Sequence, residues 1–172
     1  KQKGWKTRPG LRDPKVNLTD ALPAFVKRAR EDILSFAGGD KPFFLYIPLT
    51  SPHSPVVPNK PFQGKTNIGS YGDFVVETDW VVGQVMKAVA DAKIKNNTLF
   101  LFTTDNGAAQ FSRKTKSGKT HLSSGPYRGR KRDNWEGGHR VPFIARWPGV
   151  VEPGTVSSTV LCLTDLTRTL VT

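Results

Sequence analysis

The chain has 172 residues, of which 37% are apolar, so it is long enough for one domain with a hydrophobic core and too short for two. Lys and Arg number 26 against 14 Asp and Glu, a net charge of +12 that favours polyanionic partners without choosing among nucleic acid, anionic lipid and sulfated or phosphorylated compounds. The single cysteine excludes an internal disulfide. No apolar run approaches the roughly 20 residues of a membrane-spanning helix, and the basic start has no signal-peptide pattern.

Two segments are predicted before residue 40. Residues 1–18 mix glycine, proline and charge without periodicity, which predicts an irregular surface arm. A helix is predicted from an N-cap at Thr19 or Asp20 to Phe36, where two glycines end the pattern. Apolar residues recur along it at helical spacing: Leu22, Phe25, Val26, Ala29, Ile33 and Phe36.

The middle of the chain predicts two buried strands with a helix between them. The continuous apolar run 43–47 predicts a strand buried on both faces, and the five prolines and three glycines of residues 48–72 predict a loop. An amphipathic helix is expected over 73–92 and a second apolar strand over 98–103. The apolar face of that helix is assigned to Val75, Val82, Val85, Met86 and Val89.

The last third predicts a basic, glycine-containing loop over 107–138, a strand over 141–146 and a helix over 164–171. The order helix, buried strand, helix, buried strand predicts an α/β fold, with a mainly parallel sheet sandwiched by helices through right-handed crossovers. Cys162 lies between two leucines, so we expect a buried and unreactive thiol.

Ligand sites in parallel sheets lie beyond the carboxyl ends of the strands. Asp105 and Asn106 follow the second strand and offer a carboxylate and an amide oxygen, which are hard donors suited to Ca²⁺ or Mg²⁺. The alternative is a simple turn, because Asn-Gly is the favoured two-residue hairpin connection.

Histidine and basic residues mark two further loops. His53 lies among prolines after the first strand, where an imidazole can donate a proton to a leaving group or simply be a surface residue. The run 128–132 can cradle a polyanion, or form a solvated loop. Glu136 and Arg140 favour an ion pair over catalysis.

The chain then carries a longer motif, Gly129-x-Lys131-x-x-x-Trp135-Glu136-Gly137-Gly138-x-Arg140-Val141-Pro142, followed by Arg146-Trp147-Pro148-Gly149. Together with Pro52-His53-Ser54-Pro55 and Asp105-Asn106-Gly107, this motif resembles the formylglycine-dependent type I sulfatases of the alkaline phosphatase superfamily. The resemblance covers roughly residues 18–172 in the correct order and corresponds to the C-terminal part of the catalytic domain.

The resemblance implies a role for four residues. Asp105 and Asn106 become ligands of a divalent cation, usually Ca²⁺ with Mg²⁺ as the alternative. His53 becomes a hydrogen-bond or proton donor to the bridging oxygen of the ester, and Lys131 binds a sulfate oxygen. Arg130 and Arg132 stand where many relatives carry small residues, which favours an anionic or sulfated carbohydrate as substrate.

The resemblance also implies what other segments supply. The family forms formylglycine from a cysteine in a C-x-P-S-R or C-x-A-x-R setting, which Cys162 does not match. We therefore expect residues 1–172 to form one partial catalytic domain that lacks the nucleophile and is inactive alone. A periplasmic or secreted location, a sulfated small molecule or carbohydrate as partner, and no nucleic-acid partner are also implied.

Two other functions stay open at this point. A phosphonate or phosphodiester hydrolase of the same superfamily shares the logic of the metal site. A non-catalytic, basic polyanion-binding module would use the +12 charge with Asp105-Asn106-Gly107 as a turn only; salt would weaken such binding steeply.

Overall fold

The computed structural model of the chain describes residues 17–110 and 112–171. Most of the predicted arm, residues 1–16, lies outside the described residues, and Leu18 already begins a short 3₁₀ turn, Leu18–Asp20. The helices are α1 (Ala21–Phe36), α2 (Ser70–Asp91), α3 (Glu136–His139) and α4 (Asp165–Val171). The strands are β1 (Phe100–Thr103), β2 (Ser112–Lys114), β3 (Thr120–Leu122) and β4 (Phe143–Arg146).

Helix α1 confirms the predicted helix and its apolar face. Leu22, Ala29 and Ile33 are buried, because residues three and four apart share one face of a helix. Asp20 is the N-cap residue of α1, as predicted, but its side chain makes no capping hydrogen bond. The side chain of Asn17 accepts a hydrogen bond from the Thr19 amide at 3.4 Å and caps the preceding 3₁₀ turn.

Helix α2 begins three residues earlier than predicted, and its buried face is shifted. The buried apolar residues include Phe74, Val81 and Val85, whereas Val75, which we assigned to the inward face, is 41% exposed. The reason is that two carboxylates, Asp73 and Glu77, are also buried on this face. Val85 and Val89 are buried as predicted, so the apolar pattern places the face correctly in the second half of the helix and incorrectly at Val75.

Helices α1 and α2 pack against each other and form the core in two clusters. Leu45, Ile47 and Phe100 pack against the first of these clusters. The segment before residue 48 and strand β1 therefore cover part of the helix pair. The first cluster comprises Ala29, Ile33, Val85, Ala88 and Val89. The second comprises Leu22, Phe74 and Val81, with Leu49, Val56 and Val57 from the proline-rich loop packed against it.

Both strand pairs among the described residues are antiparallel. Strand β1 pairs with β4, with Phe100 opposite Arg146 and Thr103 opposite Phe143. Strands β2 and β3 form a separate hairpin. The described residues therefore do not build the mainly parallel sheet that we predicted.

The predicted strand 43–47 is wrong for the described part of the chain, where this segment belongs to no sheet. Its exposure nevertheless alternates, since Leu45 and Ile47 pack on the core while Phe44 and Tyr46 are 74% and 75% exposed. A strand needs a neighbouring strand for its backbone hydrogen bonds and a covering layer on each face to bury its side chains, and no strand among the described residues pairs with this segment.

The C-terminal segment differs from the prediction in burial. Cys162 is exposed, not buried, and hydrogen bonds from Thr164 lower the pKa of its thiol. Val156 and Val160 are each 96% exposed, because the segment before α4 packs on little else. Among the described residues, no helix is both long and apolar enough to cross a membrane.

Candidate functional site

The turn Asp105-Asn106-Gly107 begins two residues after strand β1 ends. Thr104 Oγ1 donates to the Asn106 carbonyl at 3.2 Å, and Asn106 Nδ2 donates to the Gly107 carbonyl at 3.2 Å. The hairpin alternative is wrong, since β1 pairs with β4 and not with the segment that follows it. The turn instead presents its side chains beside the loop that precedes β4.

Three glycines hold that loop against the turn. A Cβ atom on Gly107 would collide with the carbonyl of Gly137, and one on Gly137 would collide with the carbonyl of Gly129. A Cβ atom on Gly138 would likewise collide with the carbonyl of Asp133. Glycine is required at these positions because only a residue without a side chain lets backbones approach this closely.

Backbone hydrogen bonds fix the same arrangement. The Gly107 amide donates to the Gly138 carbonyl at 2.9 Å, and the Lys131 amide donates to the Ala108 carbonyl at 2.9 Å. Lys131 is half-buried. The structure therefore brings the segment of Asp105 and Asn106 next to the segment of Lys131, although 25 or more residues separate them in the sequence.

Aromatic and acidic side chains stiffen the loop around Lys131. The guanidinium of Arg128 lies 3.8 Å from the centre of the Trp135 ring. The Asp133 carboxylate accepts from the Arg130 amide at 3.1 Å. Glu136 and Arg140 form the expected ion pair at 3.0 Å, and the hydrogen bond from Arg140 to Glu136 raises the pKa of the arginine.

His53 lies in the exposed part of the proline-rich loop. Its Nδ1 is 2.7 Å from the Ser54 carbonyl oxygen, and because a carbonyl only accepts, Nδ1 carries the hydrogen. The Nε2 atom is thus the one left for a proton or a ligand. Among the described residues, no hydrogen bond joins His53 to Asp105 or Lys131.

Helix α2 anchors the His53 loop on both sides. Thr78 Oγ1 donates to Ser51 Oγ at 2.8 Å. Glu77, which is 0% exposed, accepts from the Asn59 amide at 2.8 Å and from Asn59 Nδ2 at 2.6 Å. A buried carboxylate is stable only when its oxygens are hydrogen-bonded, so these contacts tie the loop firmly to the helix.

One turn earlier, Asp73 holds the next stretch of the loop. Its carboxylate accepts from the amides of Gly64 and Thr66, each at 2.8 Å, and from Thr66 Oγ1 at 3.0 Å. Burial alone would raise the pKa of Asp73, but these hydrogen bonds outweigh it and lower the pKa. We did not identify Asp73, Glu77 or Asn59 from the sequence. The signal was two acids four residues apart on an otherwise apolar helix face.

The oxygens of Asp105 and Asn106 suit a hard cation. Within the described residues, neither the Asp105 carboxylate nor Asn106 Oδ1 takes part in a hydrogen bond or ion pair. No group of three His, Cys, Asp or Glu residues capable of holding a metal lies within 17–110 and 112–171. The two side chains therefore fit part of a Ca²⁺ shell, which takes about six to eight oxygens in all.

Comparison with known proteins identifies the family. The sulfatase family model matches residues 12–172. The chain therefore belongs to the sulfatase family, and the predicted α/β class and family resemblance are confirmed.

Individual relatives agree with this assignment. N-acetylgalactosamine-6-sulfatase of Canis lupus familiaris is 37% identical over 92% of this chain and 29% of the relative. N-acetylgalactosamine-6-O-sulfatase of Bacteroides thetaiotaomicron is 34% identical over 87% and 29%, respectively. The chain thus spans less than a third of the length of these curated relatives.

Solved structures show the same partial match. A structure from work on glycosaminoglycan metabolism by Bacteroides thetaiotaomicron superimposes with a TM-score of 0.71 at 33% identity, covering 80% of this chain and 29% of that one. The structure of Ps i-CgsB in complex with k-i-k-neocarrahexaose gives a TM-score of 0.59 at 26% identity, with 74% and 28% covered.

Proposed function

We propose that the whole protein hydrolyses sulfate monoesters of carbohydrates, R–O–SO₃⁻ + H₂O → R–OH + HSO₄⁻, and that this chain carries one half of its site. The observation that supports this best is the contact between the Asp105 turn and the Lys131 loop, held by backbone hydrogen bonds at 2.9 Å. These backbone bonds join the segment that follows Asp105 and Asn106 to the segment that carries the Lys131 ammonium group, which supports a shared site in a chain of the sulfatase family.

Asp105 and Asn106 hold a divalent cation, Ca²⁺ with Mg²⁺ as the alternative, through their side-chain oxygens. The formylglycine of the family, formed from a cysteine elsewhere in the whole protein, supplies the nucleophile when present. Lys131 binds a sulfate oxygen and offsets the negative charge that develops on the ester. His53 holds a proton on Nε2 for the bridging oxygen while Ser54 orients the ring through Nδ1.

The substrate class follows from the relatives and from the loop charge. The relatives named above are sulfatases of N-acetylgalactosamine 6-sulfate, and one structural neighbour is in complex with a carrageenan-type hexaose. Arg130 and Arg132, on either side of Lys131, add charge that suits an anionic sugar. A periplasmic or secreted location is part of the same proposal.

The proposal is tested on the whole protein with two small substrates, 4-nitrophenyl sulfate and bis(4-nitrophenyl) phosphate. We expect turnover of the sulfate ester that falls when Ca²⁺ is removed, and a large loss in Asp105→Asn, because that change removes a charged ligand. Asp79→Asn, also an exposed aspartate, is the matched control and should retain activity. Preferred turnover of the phosphodiester would assign the protein to the hydrolase alternative instead.

Calcium binding by the isolated chain gives a readout that does not depend on activity. Because two oxygens fall far short of the six to eight that Ca²⁺ prefers, calorimetry should detect weak binding or none. Sub-micromolar affinity would show that other residues of this chain complete the shell.

A further inference from the structure

The segment that leads from the Asp105 turn to the Lys131 loop carries positive charge only. Residues 107–132 contain eight Lys and Arg residues and no Asp or Glu. They are Arg113, Lys114, Lys116, Lys119, Arg128, Arg130, Lys131 and Arg132. None of these eight forms an ion pair with a carboxylate in the described part of the chain.

Half of these cations lie on the hairpin of β2 and β3, which is held in place. The Lys116 amide donates to the Asn67 carbonyl at 2.7 Å, and the Thr115 amide closes the turn on the Lys119 carbonyl at 2.8 Å. The Arg113 guanidinium lies 4.0 Å from the centre of the Tyr71 ring. The side chains of Lys114, Lys116 and Lys119 are exposed on this fixed backbone.

The hairpin faces the His53 loop across a cleft of about 540 Å³. Lys116 lines this cleft together with Val56 and Val57, which follow His53 in the same loop. Gln63 and Ser70 add polar groups. The acid in the cleft, Asp73, is 4% exposed, and its oxygens are already hydrogen-bonded. Lys116 is the cation that lines the cleft, and its charge also helps to lower the pKa of Asp73. The cleft therefore has room for a sugar beside the Lys116 end of the hairpin.

We propose that the β2–β3 hairpin, through Lys114, Lys116 and Lys119, binds sulfate or carboxylate groups on sugar residues next to the one that is desulfated. The preferred substrate is then an anionic polysaccharide and not a small isolated ester. This inference rests on the proposed function for its link to catalysis, while the binding surface stands on the hairpin itself. A polysaccharide is favoured over single-stranded nucleic acid because nucleic-acid surfaces stack bases on open aromatic rings. Here Arg113 and Arg128 stack on the neighbouring Tyr71 and Trp135 rings.

The test compares two triple variants of the whole protein with equal changes in charge. The hairpin variant is Lys114→Gln, Lys116→Gln and Lys119→Gln. The control variant is Lys41→Gln, Lys93→Gln and Lys95→Gln. All three lysines are exposed: Lys41 precedes the apolar segment 43–47, and Lys93 and Lys95 lie between α2 and β1. Chondroitin sulfate binding is measured over a salt series, and KM and kcat are measured on a chondroitin 6-sulfate oligosaccharide and on 4-nitrophenyl sulfate.

The hairpin variant should bind chondroitin sulfate about tenfold more weakly, as expected for three exposed charge contacts. The slope of log affinity against log salt should fall by about 1 for each lysine in contact. The oligosaccharide KM should rise by a similar factor, with kcat and the turnover of 4-nitrophenyl sulfate unchanged. The control variant should match the unmodified protein in every measurement.

Three results would overturn the inference. One is an equal loss of binding in both variants, which would show that only net charge matters. Another is an equal rise in KM on both substrates, which would place the lysines in the catalytic site. The third is tighter binding of single-stranded DNA than of chondroitin sulfate at equal salt. If the unmodified protein turns over neither sulfate ester, the proposed function is wrong. The measurement of chondroitin sulfate binding does not depend on turnover and still tests the hairpin.

Discussion

At the scale of single residues, Lys131 is the side chain on which the proposed chemistry depends most. Its backbone is fixed by the bond to Ala108, so replacing the side chain should leave the loop in place. Lys131→Ala in the whole protein should lower kcat by about 10² to 10³, the usual loss for one charge contact made in the transition state. Steady-state kinetics with a sulfate ester checks this, with Lys95→Ala as the control. A rise in KM at constant kcat would mean that Lys131 only binds substrate.

His53 is tested by the choice of leaving group. An activated aryl ester needs little protonation of its bridging oxygen, whereas a sugar ester needs much. We therefore expect His53→Ala to reduce kcat at least tenfold more on a sulfated sugar than on 4-nitrophenyl sulfate. The hydrogen bond between Ser54 and His53 uses the Ser54 backbone carbonyl, which an alanine keeps, so Ser54→Ala is the control and should behave as the unmodified protein. An equal loss on both esters would identify His53 as a positioning residue.

At the scale of elements, helix α2 acts as the support of the His53 loop. Glu77→Ala would leave the Asn59 amide and Nδ2 groups without their acceptor, and should lower the free energy of unfolding by about 2–4 kcal/mol. Glu31 is an exposed acid on α1, paired with Lys27 at 3.8 Å, and Glu31→Ala should change it by less than about 0.5 kcal/mol. Urea denaturation measures both. Equal losses of stability in the two variants would show that the hydrogen bonds from Asn59 to Glu77 contribute no more than the ion pair of a surface acid.

Helices α1 and α2 are also joined by charge. Asp91 on α2 accepts from Lys87 at 2.8 Å on the same helix and from Arg30 on α1 at 2.6 Å. The hydrogen bond from Lys87 has the largest effect and that from Arg30 the next, and together they lower the pKa of the Asp91 carboxyl below its ordinary value of 3.8. The interaction thus stabilises the packed helices only while Asp91 is ionised.

At the scale of the whole molecule, this predicts acid sensitivity. Because the folded pKa of Asp91 is lower than the unfolded one, its stabilisation is present above about pH 4 and is lost as the pH falls through the folded pKa. Asp91→Asn should be less stable than the unmodified protein at pH 7, with the difference shrinking towards pH 2. Urea midpoints from pH 2 to 7 measure this, and Asp40→Asn is the control. A constant difference across that range would contradict the assigned pKa shift.

Much of the fold could be read from the sequence where the signal is local. The spacing of Leu22, Ala29 and Ile33 identified α1, and the apolar run before Asp105 identified β1, because periodicity and short apolar runs depend only on neighbours. Asp105, Asn106 and Lys131 were placed by their loops and by the family motif. The comparisons confirm the family, and the roles of these residues stay predictions.

The tertiary structure decided what depends on distant partners. The strand expected over 43–47 is unpaired in the described residues, because pairing requires neighbouring strands that they do not contain. Asp73 and Glu77 tolerate burial because amides of the preceding loop, 7 and 18 residues earlier, hydrogen-bond to them, which no helical pattern predicts. Chemical identity of the site residues was thus determined by the sequence alone. The approach of the Asp105-Asn106-Gly107 turn to the Lys131 loop required the glycine contacts of Gly107, Gly137 and Gly138, because close backbone approach is a property of segments that lie apart in the sequence.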